Sequence, residues 1–455
     1  MLKSLDQKLA NIHADPSGAK DFIIADAKDA DMAFGVGAPG QSPEMHAGEV
    51  RLRTLAEYRE QIRQIVRQGY VDIMLMSAST NDQLAISEGL FAGSHVTPAA
   101  RANDTSDIFV LRGGRYIQEP SRPFRTAAID HIQCGHLDCA PEERTRGADL
   151  GLYSITFNNR LDEDLASLEE YSRFRREAES KGFRHFLEVF DPNAPANLGA
   201  DETPRFINDA IARTLAGVAQ AGRPVFLKVV YHGPKAMEEL VAYDPHLVVG
   251  ILGGGAGTTY DAFKLISEAQ KYGARVALFG RKINQAECQL AFVEFLRLIV
   301  DGVISPEEAV KAYHAVLQQL RIKPARSLAE DLTLQTAVMS YGGGGTVSVP
   351  AGMPVAAASG AAQPTQAKAG GCGCGCNGKK KAQPKPEGVQ PASDCGCKDK
   401  PAGPCGCNDK HDDHADHSHG THPETMQPAG PPDFASMTRA EKLAYNQRER
   451  DRIFG

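Results

Sequence analysis

Charged residues are uncommon inside β-strand runs, and the stretch "RPVFLKVVYHG" (residues 223 to 233) sets one lysine, Lys228, in the middle of such a run. Period-two alternation puts Phe226, Lys228 and Val230 on one face of the strand and Leu227 and Val229 on the other. A lysine enclosed among apolar groups is costly while charged, so its pKa falls. The neutral amine that results can attack a carbonyl carbon and form a Schiff base. The plain alternative is a lysine that reaches solvent at the strand end, or that pairs with Glu188 or Asp26.

A second kind of chemistry lies in two glycine turns. "GILGGGAGTTYDAF" reads as strand, glycine turn and a helix capped by Thr258 or Thr259, and "ALFGRKINQAE" repeats the arrangement. Glycine lets a backbone approach an anion closely, and helix N-termini aim free N–H groups at it. Gly253, Gly254, Gly255, Gly280 and Arg281 are the candidate phosphate-binding residues. Taken singly, such turns also need glycine for purely steric reasons.

These residues need elements to hold them. The chain has 455 residues, 42% of them apolar, enough for a large core. No run of about 18 apolar residues suggests a membrane span, and "MLKSLDQKLANIH" lacks the basic-then-apolar order of a secretory signal, so the expected compartment is the cytosol. A net charge of −7 without a basic stripe argues against nucleic acid as a partner and for a small molecule. The first 340 or so residues alternate short apolar runs with longer helical patterns, as βα units of a parallel sheet do. The expected strands are 22–26, 71–76, 126–132, 150–157, 185–190, 225–231, 247–252 and 275–279, and eight strands suit a closed (β/α)8 TIM barrel. For the third strand 107–117 competes with 126–132, and residues 93–124 read as an insertion. The expected organisation is a barrel over 1–341, a linker over 342–435 and a short amphipathic helix over 436–455.

The ordered motifs "IIADAKDAD", "FLEVFDP", "FLKVV", "LGGGAG" and "ALFGRKI" resemble the class I aldolases of the (β/α)8 superfamily, with tagatose-bisphosphate and archaeal-type fructose-bisphosphate aldolases the most similar groups. The resemblance spans roughly residues 20 to 320. It implies a Schiff-base Lys228, proton transfer by Glu188 or Asp26, phosphate held by the glycine loops, a phosphorylated sugar as substrate, no catalytic metal and a homo-oligomer. Asp29, Asp31, Lys28 and Asp191 are further candidates, and Tyr231 and His232 stand where substrate could be touched. One departure concerns strand four, where family members often carry another lysine and "GLYSITF" offers Tyr153 and Ser154. A second enzyme reading has Asp26, Glu188 and Asp191 hold Mg²⁺ to stabilise an enolate. A third makes the barrel a catalytically idle scaffold whose tail is the active part.

That tail has its own chemistry. Cys372, Cys374, Cys376, Cys395, Cys397, Cys405 and Cys407 stand in CxC spacing, followed by His411, His414, His417, His419 and His422. Such ligands suit Zn, Cu or Ni held by an adaptable multidentate segment, and the surrounding Gly and Pro predict disorder. The last segment, from Ser436, carries a thin apolar stripe that includes Met437, Leu443 and Phe454. Tethered by a long linker, it is similar to the encapsulation peptides that direct enzymes into a bacterial microcompartment by docking on a shell protein.

Overall fold

Eight parallel strands hydrogen-bond in the order β1-β12-β11-β10-β9-β8-β5-β4 and close on themselves. They are β1 (Ile23–Lys28), β4 (Ile73–Met76), β5 (Thr97–Arg101), β8 (Leu150–Thr156), β9 (Arg184–Phe190), β10 (Leu227–Val229), β11 (Val249–Leu252) and β12 (Val276–Phe279). Outside the barrel, β2 (Gln41–His46) pairs with β3 (Glu49–Leu52) and β6 (Asp104–Thr105) with β7 (Pro123–Phe124), both antiparallel. The computed structural model describes residues 2–46, 49–254 and 257–336. The chain divides into Met1–Gln363 and Pro364–Gly455. The expected linker, the terminal helix and the barrel's expected end at residue 341 lie outside the described residues.

The (β/α)8 barrel is the expected architecture, with one strand displaced. Residues 126–132 do not form strand three: Ile129–Cys134 is a helix, and 107–117 is not a strand either. The third strand is β5, "TPAAR", and it lies inside the stretch read as an insertion. It lacks the β-branched run that marks its neighbours, yet all five residues are buried. Pro98 fits because the ladder to β8 begins only at Ala99, so no bond is lost where its N–H is missing. The β6–β7 pair also lies within 93–124, and it follows strand three.

Alternation along each strand sorts side chains into two cores. Ile23, Ala25, Ile73, Leu75, Ala99, Leu150, Leu152, Phe186, Phe226, Val276 and Leu278 fill the lumen. Ile24, Met74, Met76, Ala100, Tyr153, Leu187, Leu227, Val229 and Ile251 pack against the surrounding helices. The lumen set also contains Leu5, Leu9 and Ile12 from the amphipathic helix Ser4–Ala14, which closes the N-terminal end of the barrel. Lys3 fastens that helix by donating to the carbonyls of Phe91, Ser94 and Val96, and Lys8 pairs with Asp72 at 2.8 Å. The strands' C-terminal ends therefore form the open mouth. No helix among the described residues is long and apolar enough to cross a membrane.

Candidate active site

Lys228 faces the lumen. In the registers, Lys228 aligns with Glu188 on one side and Gly250 on the other, and Glu188 aligns with Ser154. Two residues earlier on the same faces, Phe186 and Phe226 stack with ring centroids 4.5 Å apart and make an apolar floor beneath the pair. Lys228 Nζ lies 2.5 Å from Glu188 Oε1, with 7% and 1% of the two residues exposed.

An ion pair taken out of water persists only if its remaining hydrogen-bonding capacity is met. Here it is met by a chain of partners. Ser154 Oγ donates to Glu188 Oε2 at 2.7 Å, and Arg101 Nη2 stands 3.5 Å from that oxygen. Arg101 also donates to Ser154 Oγ at 3.0 Å and, through Nε, to Asp29 at 2.6 Å. Burial works against the Arg101 charge, but Asp29 and Glu188 outweigh it and raise its pKa. Of the two polar residues on strand four, Ser154 faces the lumen, while Tyr153 turns outward onto Tyr171 and Phe174. Arg101 is the site residue that sequence reasoning missed, because it ends the strand that was misassigned.

The loops after β11 and β12 adjoin this cluster. Arg281 opens the short helix Arg281–Gln285 directly after Gly280, and burial lowers its pKa while the nearby Glu188 charge opposes that shift. Lys228, Arg101 and Arg281 bring three basic side chains to this cluster, opposed by Glu188 and Asp29 and, beside Arg101, by the buried Asp104. The glycines serve different ends. A Cβ on Gly280 would come within 2.8 Å of the Ala27 carbonyl, so that position is sterically required. Gly254 has φ +58° with nothing within 4 Å of where a Cβ would stand, so its backbone is open to a ligand. Gly253 abuts the Phe279 ring, and Gly255 lies outside the described residues. Thr258, not Thr259, caps the helix Thr259–Lys271, and Lys282 ties the two loops by donating to the Gly257 carbonyl at 2.6 Å.

Asp26, expected at the site, faces away from the lumen. Its register partners, Phe279 and Met74, belong to the outer core, while Ala25 beside it points into the lumen. Asp26 therefore lies behind the barrel wall, 3.4 Å from Lys28, which is held by Gln289 on the helix Gln289–Val300 at 2.9 Å. It cannot shuttle protons at Lys228 Nζ. The Mg²⁺ reading loses one of its three ligands for the same reason, and Asp191 is engaged by His232 at 2.8 Å. Asp31 accepts from Ser77 at 2.6 Å. Tyr231 belongs to the outer core, and the tail cysteines and histidines lie outside the described residues.

No protein-family model matches the chain, and no curated protein matches it in sequence. Among solved structures it is similar to a Schiff-base-forming fructose-1,6-bisphosphate aldolase studied through its reaction intermediates, at 18% identity and a TM-score of 0.45, over 65% of this chain and 100% of that one. It is also similar to an archaeal fructose 1,6-bisphosphate aldolase, at 17% identity and a TM-score of 0.45, over 65% of this chain and 99% of that one. A third is the fructose-bisphosphate aldolase from Slackia heliotrinireducens, at 16% identity and a TM-score of 0.47, over 68% of this chain and 91% of that one.

Proposed function

We propose that the barrel is a class I aldolase-type lyase that makes or breaks a carbon–carbon bond of a phosphorylated sugar through a Schiff base on Lys228. The observation that carries this reading is the Lys228–Glu188 pair, 2.5 Å apart inside the lumen on an apolar floor. Glu188 is placed to take the ammonium proton, leaving the amine lone pair free to attack the substrate carbonyl carbon. Proton transfer to the resulting alkoxide gives a carbinolamine, and loss of water gives the iminium. Cleavage sends the C3–C4 bonding electrons into the iminium to form an enamine, as a base takes the C4 hydroxyl proton and the aldehyde fragment leaves. Protonation of the enamine and hydrolysis then release the ketone fragment and restore the amine.

Glu188 is the base within reach of Lys228 Nζ, while Ser154 and Arg101 orient it through Oε2. Arg281 and the open backbone at Gly254 are the proposed holders of the phosphoryl group. The test is borohydride reduction with a panel of ketose phosphates and dihydroxyacetone phosphate, followed by peptide mass spectrometry. The expected adduct is on Lys228. An adduct confined to another lysine, or none with any member of the panel, overturns the proposal.

A further inference from the structure

Far from the mouth, on the segment that feeds the N-terminal end of β8, the sequence "CGHLDCAPEE" (134–143) folds into a compact loop. The helix Ile129–Cys134 ends at Gly135 with φ +89°, and Asp138 adopts φ +56°, a conformation that a non-glycine residue rarely takes. The Asp138 N–H is held by Asp130, which pairs with Lys181 at 2.6 Å. The reversal brings Cys134 Sγ, Cys139 Sγ and a Glu143 carboxylate oxygen within 4.8 Å of one another, with both cysteines buried. His136 joins from the rim, its Nε2 3.3 Å from Glu143 Oε2. Its Nδ1 lies 2.8 Å from the Leu137 carbonyl, a partner of the kind that orients a metal-binding imidazole, while a proton on Nε2 bridges to the Glu143 carboxylate and gives way when a metal binds there.

We infer that Cys134, Cys139, Glu143 and His136 form a structural Zn²⁺ site. Two thiolates, a carboxylate and an imidazole are a tetrahedral zinc donor set, and four protein ligands leave no position open for substrate. Zn–S bonds of about 2.3 Å put tetrahedral ligand atoms roughly 3.8 Å apart, so the Cys134, Cys139 and Glu143 atoms, within 4.8 Å of one another, draw closer on the ion, and His136, outside that group of three, turns its ring to complete the set. Binding releases the two thiol protons, which the metal-free loop directs to the carbonyls of His136 and Ala140. The ion pins the segment leading into β8, the strand that carries Ser154, without touching Lys228.

The test uses the full-length chain with the twelve tail cysteines and histidines replaced, because those side chains would otherwise bind the added metal. The expected result is one Zn²⁺ per chain after dialysis, and a thermal midpoint higher by at least about 2 °C with Zn²⁺ than with a chelator. Cys134→Ser with Cys139→Ser removes both effects. Glu143→Gln and His136→Gln, which keep the thiols and so the local packing, weaken Zn²⁺ affinity by about 10-fold or more. Absence of bound zinc with a chelator-insensitive midpoint overturns the inference, as does a Cys134–Cys139 disulfide in protein purified under reducing conditions. The Lys228 borohydride adduct is unaffected by chelation, so this test and that of the catalytic proposal fail independently.

Discussion

Among the described residues, two lysine–carboxylate pairs are almost wholly buried, one on each side of the barrel wall. Lys228 and Glu188 lie in the lumen, and every oxygen of Glu188 has a partner. Lys28 and Asp26 lie between β1 and the helices, where Lys28 is wholly buried and neither Asp26 oxygen has a hydrogen-bond partner beyond the 3.4 Å ion contact. Burial pushes the Asp26 carboxyl up to about 6 against the opposing pull of Lys28, and burial likewise lowers the Lys28 pKa. Burial alone does not separate the two pairs. What distinguishes the lumen pair is an opening to ligand and a network that fixes the carboxylate.

Substitutions that treat the two pairs alike should expose that difference. Lys228→Met should abolish borohydride trapping and lower carbon–carbon cleavage by at least about 10³-fold with the fold intact by circular dichroism; retained trapping would move the nucleophile elsewhere. Glu188→Gln keeps the shape but removes the proton acceptor, and a fall of about 10²-fold in kcat is expected. If Glu188→Gln turned over at the native rate, the proton would have to leave by another route.

On the other side of the wall the expected effects fall on stability. Asp26→Ala strands a buried ammonium and should cost about 3–5 kcal/mol in denaturant unfolding, whereas Asp26→Leu with Lys28→Met should come within about 1 kcal/mol of the native chain and keep its adduct. A double variant that folds but forms no adduct would assign Lys28 or Asp26 to the chemistry after all. The smallest effect is a slope. The folded Asp26 value, about 6, lies above the ordinary 3.8, so the folded state binds more protons between those pH values and Asp26 lowers stability as pH rises through that window. Asp26→Asn should remove that component, seen as a stability difference from the native chain that changes between pH 4 and 6 and is flat above.

Much of this was legible in the residues. β10 was readable because one lysine interrupts an apolar run whose alternation is otherwise unbroken, and the Lys228 face proved to be the lumen face. β5 was not readable, because "TPAAR" owes its strand to neighbours on both sides and not to its own side chains. Losing β5 also lost Arg101. Asp26 drew its proton-transfer role from the family resemblance alone, but small alanines face the lumen on β1 and the polar pair is sealed beneath helices. The Cys134 to Glu143 cluster was invisible because its convergence depends on a left-handed residue, Asp138, that no spacing rule announces.

The helix Ser4–Ala14, whose Leu5, Leu9 and Ile12 stop the lower end, makes the lumen a cul-de-sac. On the proposed cleavage, both fragments would leave by the doorway through which the intact molecule came, and the fragment held on Lys228 would follow the free aldehyde, which would give release a compulsory order.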